Sequence, residues 1–244
     1  MKLRLDLHVH SEASCDGRMT LSEIIDAARN KGLDGVAITD HDVFFKASAA
    51  DLPEDFIVIP GEEFSTERGH LLGLFLTEPV TAKGFHAVAA AIRAQGGLAV
   101  MAHPFERNRD VSSLDDVLPE IDGVEVWNGR ANRKNPVANE SALALAERNK
   151  LPSFAGSDAH LEREVGNGFV TVEAEDRTPE SIKKALLQPG NATGGREGRD
   201  IDVARSQLTK LKKRGGGFRK RITWAAFAAK CLACDALRPL RRRS

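Results

Sequence analysis

Two imidazoles stand two residues apart in the stretch "DLHVHSEASCDG", at His8 and His10, and a carboxylate, Asp16, follows six residues on. If the stretch is a strand, its side chains alternate between faces, and both rings point the same way. Imidazoles converging from one strand are a metal-ligand geometry, so the question is which other segments supply ligands. The chain has seven histidines. His8 and His10 close the first apolar run, His41 closes the second in "TDHD", and His70 opens "HLLGLFL". His103 closes "LAVMAH", and His160 closes "SFAGSDAH". His86 alone falls inside a helical pattern, and we read it as an ordinary structural histidine. Carboxylates accompany the others: Asp6, Asp16, Asp40, Asp42, Glu63 and Asp158.

In a parallel α/β barrel the C-terminal strand ends converge on one face, where active sites sit. So many titratable groups on one face would be strongly unfavourable without a compensating charge. A cluster of two or three divalent cations removes that objection, and mixed histidine and carboxylate ligands suit zinc, manganese or iron. Cysteine is not expected among the ligands. Cys15, Cys231 and Cys234 are an odd, small set that argues against a disulfide scaffold. The lone C-x-x-C at 231–234 reads as two small residues on an amphipathic helix.

These side chains need elements to hold them. Short apolar runs alternate with helical patterns as far as about residue 190. "LRLDLHV" reads as a strand. "TLSEIIDAARNKG" reads as a helix, with Thr20 and Glu23 at capping-box spacing and Gly32 as its stop. Further strands are expected in "LDGVAITDH", "DFIVIPGEEFS", "GHLLGLFL", "LAVMAHP", "DGVEVWN", "LPSFAGSDAH" and "GFVTVEAE". Helices are expected in "GFHAVAAAIRAQGG", "SLDDVLPEI", "NPVANESALALAERNK" and "TPESIKKALLQ". The alternation implies βαβ units, a mainly parallel sheet and a small or incomplete barrel.

With 244 residues and 41% apolar content the chain suits a soluble α/β protein, and no stretch approaches a membrane span of about 20 apolar residues. No signal peptide is visible, and a cytoplasmic location is expected. The zero net charge hides a division. Thirteen of the 35 basic residues and one of the 35 acidic ones lie in 205–244, so that segment carries +12 and the rest −12. We divide the chain into a catalytic barrel at 1–190, a linker at 191–204 and a basic tail at 205–244.

In this order the motifs resemble those of the PHP (polymerase and histidinol phosphatase) family: "DLHVHSEASCDG", "ITDHD", "AHP" and "GSDAH", with "PGEEFS" and "HLLG" between the second and third. The resemblance covers about residues 3–190. It implies a distorted (β/α)7 barrel carrying a two- or three-metal site at its C-terminal strand ends. Carried over residue by residue, the first metal takes His8, His10, Glu63 and Asp158. The second shares Glu63 and adds His70 and His103. The third takes Asp16, His41 and His160, where some members have a histidine at the position of Asp16. Spacing favours Glu63 over Glu62, and on a strand only one of the two can join the cluster. "GVEVWNGRANR" is similar to a segment of small, stand-alone members. Arg130 is therefore the first choice for a phosphate clamp and Arg163 the second, because a guanidinium binds phosphate bidentately. Asp40, Asp42 and Asp6 are expected to orient ligand histidines.

The implied reaction is hydrolysis of a phosphate ester by a metal-bound water that loses its proton near neutral pH. Ser65 and Ser157 have no activating base and read as structural. Short pocket loops favour the phosphomonoester of a nucleotide or small metabolite. The alternative is a 5′–3′ exonuclease or other nuclease, with the basic tail recruiting RNA or DNA. A non-catalytic metal-binding module is the third reading, disfavoured because a relic has no reason to retain so costly a cluster. The tail segment "FRKRITWAAFAAKCLACDAL" can form a helix with Phe218, Ile222, Ala225 and Ala229 along one stripe. Its targets could be solvent, nucleic acid, an anionic membrane surface or the acidic body.

Overall fold

The computed structural model describes residues 1–46, 52–106, 114–215 and 217–241, without the side chains of 218 and 237–241. Its first half runs β1 (Lys2–Val9), α1 (Leu21–Arg29), β2 (Gly35–Ile38), β3 (Ile57–Thr66), β4 (Gly69–Leu74), α2 (Phe85–Ala94) and β5 (Leu98–Met101). It continues with β6 (Gly123–Asn128), α3 (Ala138–Asn149), β7 (Ser153–Gly156), β8 (Gly168–Glu173), α4 (Pro179–Leu186) and β9 (Ala192–Gly195). Two helices follow, α5 (Asp200–Arg214) and α6 (Phe218–Arg241).

Local signals set several of these boundaries. Thr20 caps α1 through Glu23 N–H while the Glu23 carboxylate returns to the Thr20 N–H, satisfying two donors that a helix start leaves open. Thr178 caps α4 by accepting from Ser181 N–H, with Pro179 in the first turn. "SLDDVLPEI" differs from the expected helix. Residue 113 lies outside the described residues, and the remainder is held by tighter bonds such as Val117 N–H to Leu114 O, with a 3-10 turn at Leu118–Glu120. Leu114, Val117 and Ile121 nevertheless bury their side chains.

The strands form one sheet in the order β7-β6-β5-β4-β3-β2-β1-β8-β9. Among the described residues β1/β2, β2/β3, β5/β6 and β6/β7 are parallel, whereas β1/β8, β3/β4, β4/β5 and β8/β9 are antiparallel. The expectation of a mainly parallel sheet is therefore corrected. Only Glu67 and Arg68 separate β3 from β4, and a parallel crossover needs a dozen residues or more. The reversal matters for the site. It brings His70, near the start of β4, to the end of the barrel where β3 finishes, with Ser65 paired to His70.

The sheet curls until its edge at β7 meets β1. Val9 bridges Ala159, His10 N–H donates to Ala159 O at 2.8 Å, and Asp158 N–H donates to His8 O at 2.8 Å. Glycine permits this approach: a Cβ on Gly156 would stand 2.2 Å from His8 Cβ. Closure therefore occurs at the residues that the motifs single out. Around it, Leu5, Leu7, Leu72, Val100 and Phe154 pack in one cluster. Phe85, Val88 and Ile92 of α2 pack with Leu145 of α3 and Val124 of β6 in another. Ile24, Ile25 and Ala28 seat α1 in a third. Burying each large side chain contributes about 1.5–3 kcal/mol, which holds the strand ends in fixed relation.

Within the stretch read as a linker, β9 pairs with β8 and α5 begins. Helices α5 and α6 pack on each other through Ile201, Ala204 and Cys231, with Phe227 and Ala228 against them. Asp235 of α6 accepts from Asp200 N–H at 3.0 Å and Ile201 N–H at 3.1 Å, so one helix caps the other's positive end. The stripe expected on α6 is corrected. Ile222, Ala225 and Ala229 are exposed, while the face with Phe227, Ala228 and Cys231 packs on Ile201 and Ala204 of α5. The side chain of Phe218 lies outside the described residues. Among the described residues no helix is long and apolar enough to cross a membrane.

Candidate metal centre

Glu63 is the hub. Its Oε2 lies 2.7 Å from His41 Nδ1, 3.4 Å from His10 Nε2 and 3.5 Å from His8 Nε2. Its Oε1 lies 2.6 Å from His70 Nδ1 and 3.1 Å from His103 Nε2. Backbone bonds fix the hub: Glu63 N–H donates to Asp40 O, and Asp42 N–H donates to Glu63 O. Asp158 Oδ1 stands 3.3 Å from His10 Nε2, 3.6 Å from His160 Nδ1 and 3.9 Å from His8 Nε2. Asp16 reaches His160 Nε2 at 3.2 Å and His41 Nε2 at 3.6 Å. Glu62 is not part of the cluster, and burial followed by the nearby charge of Asp42 pushes its carboxyl up to about 7.

All nine residues expected as ligands thus gather at one end of the barrel. Among the described residues four groups have ligand atoms within 4.8 Å of one another: His8, His10 and Glu63; His41, Glu63 and His70; His8, His103 and Asp158; and His10, His41 and His160. Only the first of these lies wholly within one ligand set implied by the motifs. The others cross those sets, as expected of sites that share walls. Among the described residues three non-glycine residues here, Asp42 at φ 52°, His103 at φ 27° and Asp158 at φ 55°, have left-handed backbone, a strain that surrounding packing must hold.

The donor set fits divalent metal. Among the described residues His8 Nε2 and both ring nitrogens of His10 are buried without a well-aligned hydrogen bond, and a buried polar atom left so is costly. One ligand atom each from His8, His10 and Glu63 lies within 4.8 Å of the others, and imidazole with carboxylate oxygen is a normal set for zinc, manganese or iron. Burial, with the repulsion of His160 and His41, holds the His10 ring well below its usual pKa, in the neutral form that ligation needs. At His41 burial works toward neutrality, but Glu63 and Asp16 outweigh it and raise the ring to about 9. His103 is raised to about 9, where the hydrogen bond to Glu63 and the charges of Glu63 and Glu125 overcome burial. The surrounding histidines hold Glu63 and Asp158 well below the carboxylate range despite burial.

Three supporting roles come out differently from the sequence reading. Asp40 accepts from Ser11 N–H at 2.7 Å and Ser11 Oγ at 2.6 Å, and Asp42 accepts from Ser65 N–H at 2.8 Å. Asp6 accepts from Ser157 N–H and Gly166 N–H, and its burial pushes its carboxyl up to about 6. These carboxylates hold loops, and among the described residues none accepts from an imidazole. The residue that orients His8 is Glu125, which meets its Nδ1 at 2.9 Å and also accepts from His103 N–H and Asn128 Nδ2. The sequence signal was a lone acid between valines in "GVEVWN".

Arg130 lines the pocket, but its Nε and Nη2 donate to Glu164 at 2.9 and 2.6 Å, and its Nη1 donates to Ser206. Glu164 also accepts from His160 N–H, so Arg130 braces the loop bearing His160. Arg163 pairs with Asp202 of α5 and faces a separate cleft with Glu23 and Asn30. Two residues that the sequence reading passed over lie beside the cluster. Lys210 Nζ is 3.9 Å from Asp16, and Lys213 Nζ donates to the carbonyls of Glu12, Ser14 and Gly17. The cluster opens into a cavity of about 490 Å³.

Fold and site together define a curled α/β barrel with a histidine and carboxylate cluster able to hold metal at its closing seam. Comparison with known proteins gives this class its family. The PHP domain model matches residues 6–96 and the PHP-associated model matches 136–188. An uncharacterized protein of Methanocaldococcus jannaschii is 34% identical over 177 residues, 69% of this chain and 70% of that one. The chain belongs to the PHP family. Among solved structures, a two-domain Bacteroides vulgatus protein, described as containing a predicted PHP-like metal-dependent phosphoesterase, superposes with TM-score 0.63 at 21% identity over 86% of this chain and 70% of that one. The lesion-specific endonuclease Q of Pyrococcus furiosus superposes with TM-score 0.55 at 21% identity over 79% of this chain and 58% of that one.

Proposed function

We propose that the chain hydrolyses the phosphomonoester of a nucleotide or small metabolite, using two or three divalent ions held by His8, His10, Asp16, His41, Glu63, His70, His103, Asp158 and His160. The observation that carries this reading is Glu63 itself, one buried carboxylate with both oxygens facing five imidazoles. When bound, the ions supply Lewis acidity, charge for the phosphoryl oxygens and an activated water. The protein supplies position. Glu125 holds the His8 ring so that Nε2 faces the cluster, and Glu63 joins neighbouring sites. No side chain is needed as nucleophile: the Ser157 hydroxyl donates to the His8 carbonyl at 3.4 Å, a structural bond. Cations at the cavity wall, Lys134, Arg133 and Lys210, favour an anionic substrate.

The test is a panel of p-nitrophenyl phosphate, mononucleotides, histidinol phosphate and short RNA with manganese or zinc. Turnover of monoesters supports the proposal, and no turnover of any compound by metal-loaded protein sinks it. A second reading, a nuclease, draws support from Lys210 and Arg214, the basic residues that α5 brings to the cavity wall. On that reading, cleavage of RNA is strongly salt-dependent and removal of 205–244 abolishes the dependence.

A further inference from the structure

The hairpin of α5 and α6 lies beyond both matched segments, which end at residue 188, yet it forms part of the cavity wall. Lys210, Arg214, Trp224 and Phe227 line the same space as the histidine cluster. Ser206, Lys210 and Lys213 recur at spacings of four and three, so one face of α5 looks onto the barrel mouth. That face is anchored. Asp202 pairs with Arg163, and Ser206 accepts from Arg130. Lys213 satisfies its ammonium on three carbonyls of the loop carrying Asp16, at 2.5, 2.9 and 2.8 Å. Docked in this way, α5 sets the Lys210 ammonium beside the ligand carboxylate Asp16.

On α6, Trp224 is half-buried, and the Phe227 ring meets it edge-on, with centroids 5.2 Å apart and planes at 89°. Phe227 is itself seated on Ile201, Ala204 and Cys231. A braced indole on the wall of a largely polar cavity suits stacking against a flat ring.

We propose that this hairpin completes the substrate site: Trp224, braced by Phe227, stacks on a planar ring in the leaving group, and Lys210 binds the phosphoryl oxygens. The proposal rests on the phosphoesterase reading and adds the chemical class of the leaving group, a ring-bearing alcohol or phenol.

The test uses two phosphonates that cannot be hydrolysed, phenylphosphonate and methylphosphonate, titrated by calorimetry into the manganese-loaded full chain. The phenyl compound binds about tenfold more tightly, the scale of one ring stack. Trp224→Leu brings the two affinities to within about twofold of each other, whereas Trp224→Tyr, which keeps a ring, retains the preference. Lys210→Gln weakens both compounds alike by about tenfold and leaves their ratio unchanged, as loss of one charged hydrogen bond requires. Equal wild-type affinities, a preference that survives in Trp224→Leu, or its loss in Trp224→Tyr overturns the stacking wall. Unchanged affinities in Lys210→Gln overturn the role of Lys210. If the metal-loaded wild type binds neither compound, the phosphoesterase reading falls and the subsite falls with it.

Discussion

Replacing Glu125 probes how the ligand rings are held. Its carboxylate belongs to a residue only 1% exposed, and it accepts from His8 Nδ1 at 2.9 Å, His103 N–H at 2.8 Å and Asn128 Nδ2 at 3.0 Å. The first bond selects the His8 tautomer, because a proton on Nδ1 leaves the Nε2 lone pair facing Glu63 and Asp158. Glu125→Ala removes all three acceptor contacts. The backbone donor of His103 and the amide of Asn128 are then unmatched, at about 1–3 kcal/mol each. Loss of a carboxylate behind a ligand imidazole lowers metal affinity about 10–100-fold, equivalent to about 1.4–2.8 kcal/mol. Glu125→Gln keeps the shape, and its carbonyl can still accept from one partner. Its NH2 then opposes another donor, so it moves affinity in the same direction by less. Manganese calorimetry at one fixed pH, with elemental analysis after gel filtration, measures both effects. If both variants bind metal with wild-type affinity and stoichiometry, the orienting role of Glu125 is refuted.

Other outcomes follow from the same geometry. Glu63→Ala should lose two metals at once because it joins neighbouring sites, whereas His41→Ala should lose one, and elemental analysis showing wild-type stoichiometry in both would contradict this. Metal affinity should rise with pH: His41 and His103, each raised to about 9, are protonated below that value, and metal must expel those protons. Each contributes up to about tenfold per pH unit below about 9, so a flat profile between neutral and mildly alkaline pH would refute the linkage. Gly156→Ala places a Cβ 2.2 Å from His8 Cβ and forces β7 away from β1. Overpacking of this kind costs about 1–3 kcal/mol, so the melting temperature should fall by several degrees, and an unchanged one would show that the seam is looser than described.

Much of the site was legible because ligands must be particular residue types and strand ends are visible as the ends of apolar runs. The supporting groups were harder to read. Asp40 and Asp42 flank His41 in "TDHD", yet both carboxylates turn to serine backbones, and the acid behind His8 is Glu125, 117 residues away. Spacing along a strand says which face a side chain takes, but not which distant strand meets that face. Arg130 and Arg163 lie close in sequence to ligand motifs, but their forks are engaged by Glu164 and Asp202.

The amino-acid sequence by itself determined the chemistry: six imidazoles and three carboxylates at recurring strand ends, a βα alternation able to hold them, and a family to which that order belongs. Only the tertiary structure decided the reversal that carries His70 to the ligand face, the closure of β7 on β1 that brings Asp158 and His160 to His8 and His10, and the docking of α5 and α6 on the cavity. Residue types and local periodicity record what each segment can do. The reversal follows from a two-residue turn, but the closure and the docking join residues a hundred or more apart, where burial and hydrogen bonding compete across the whole chain.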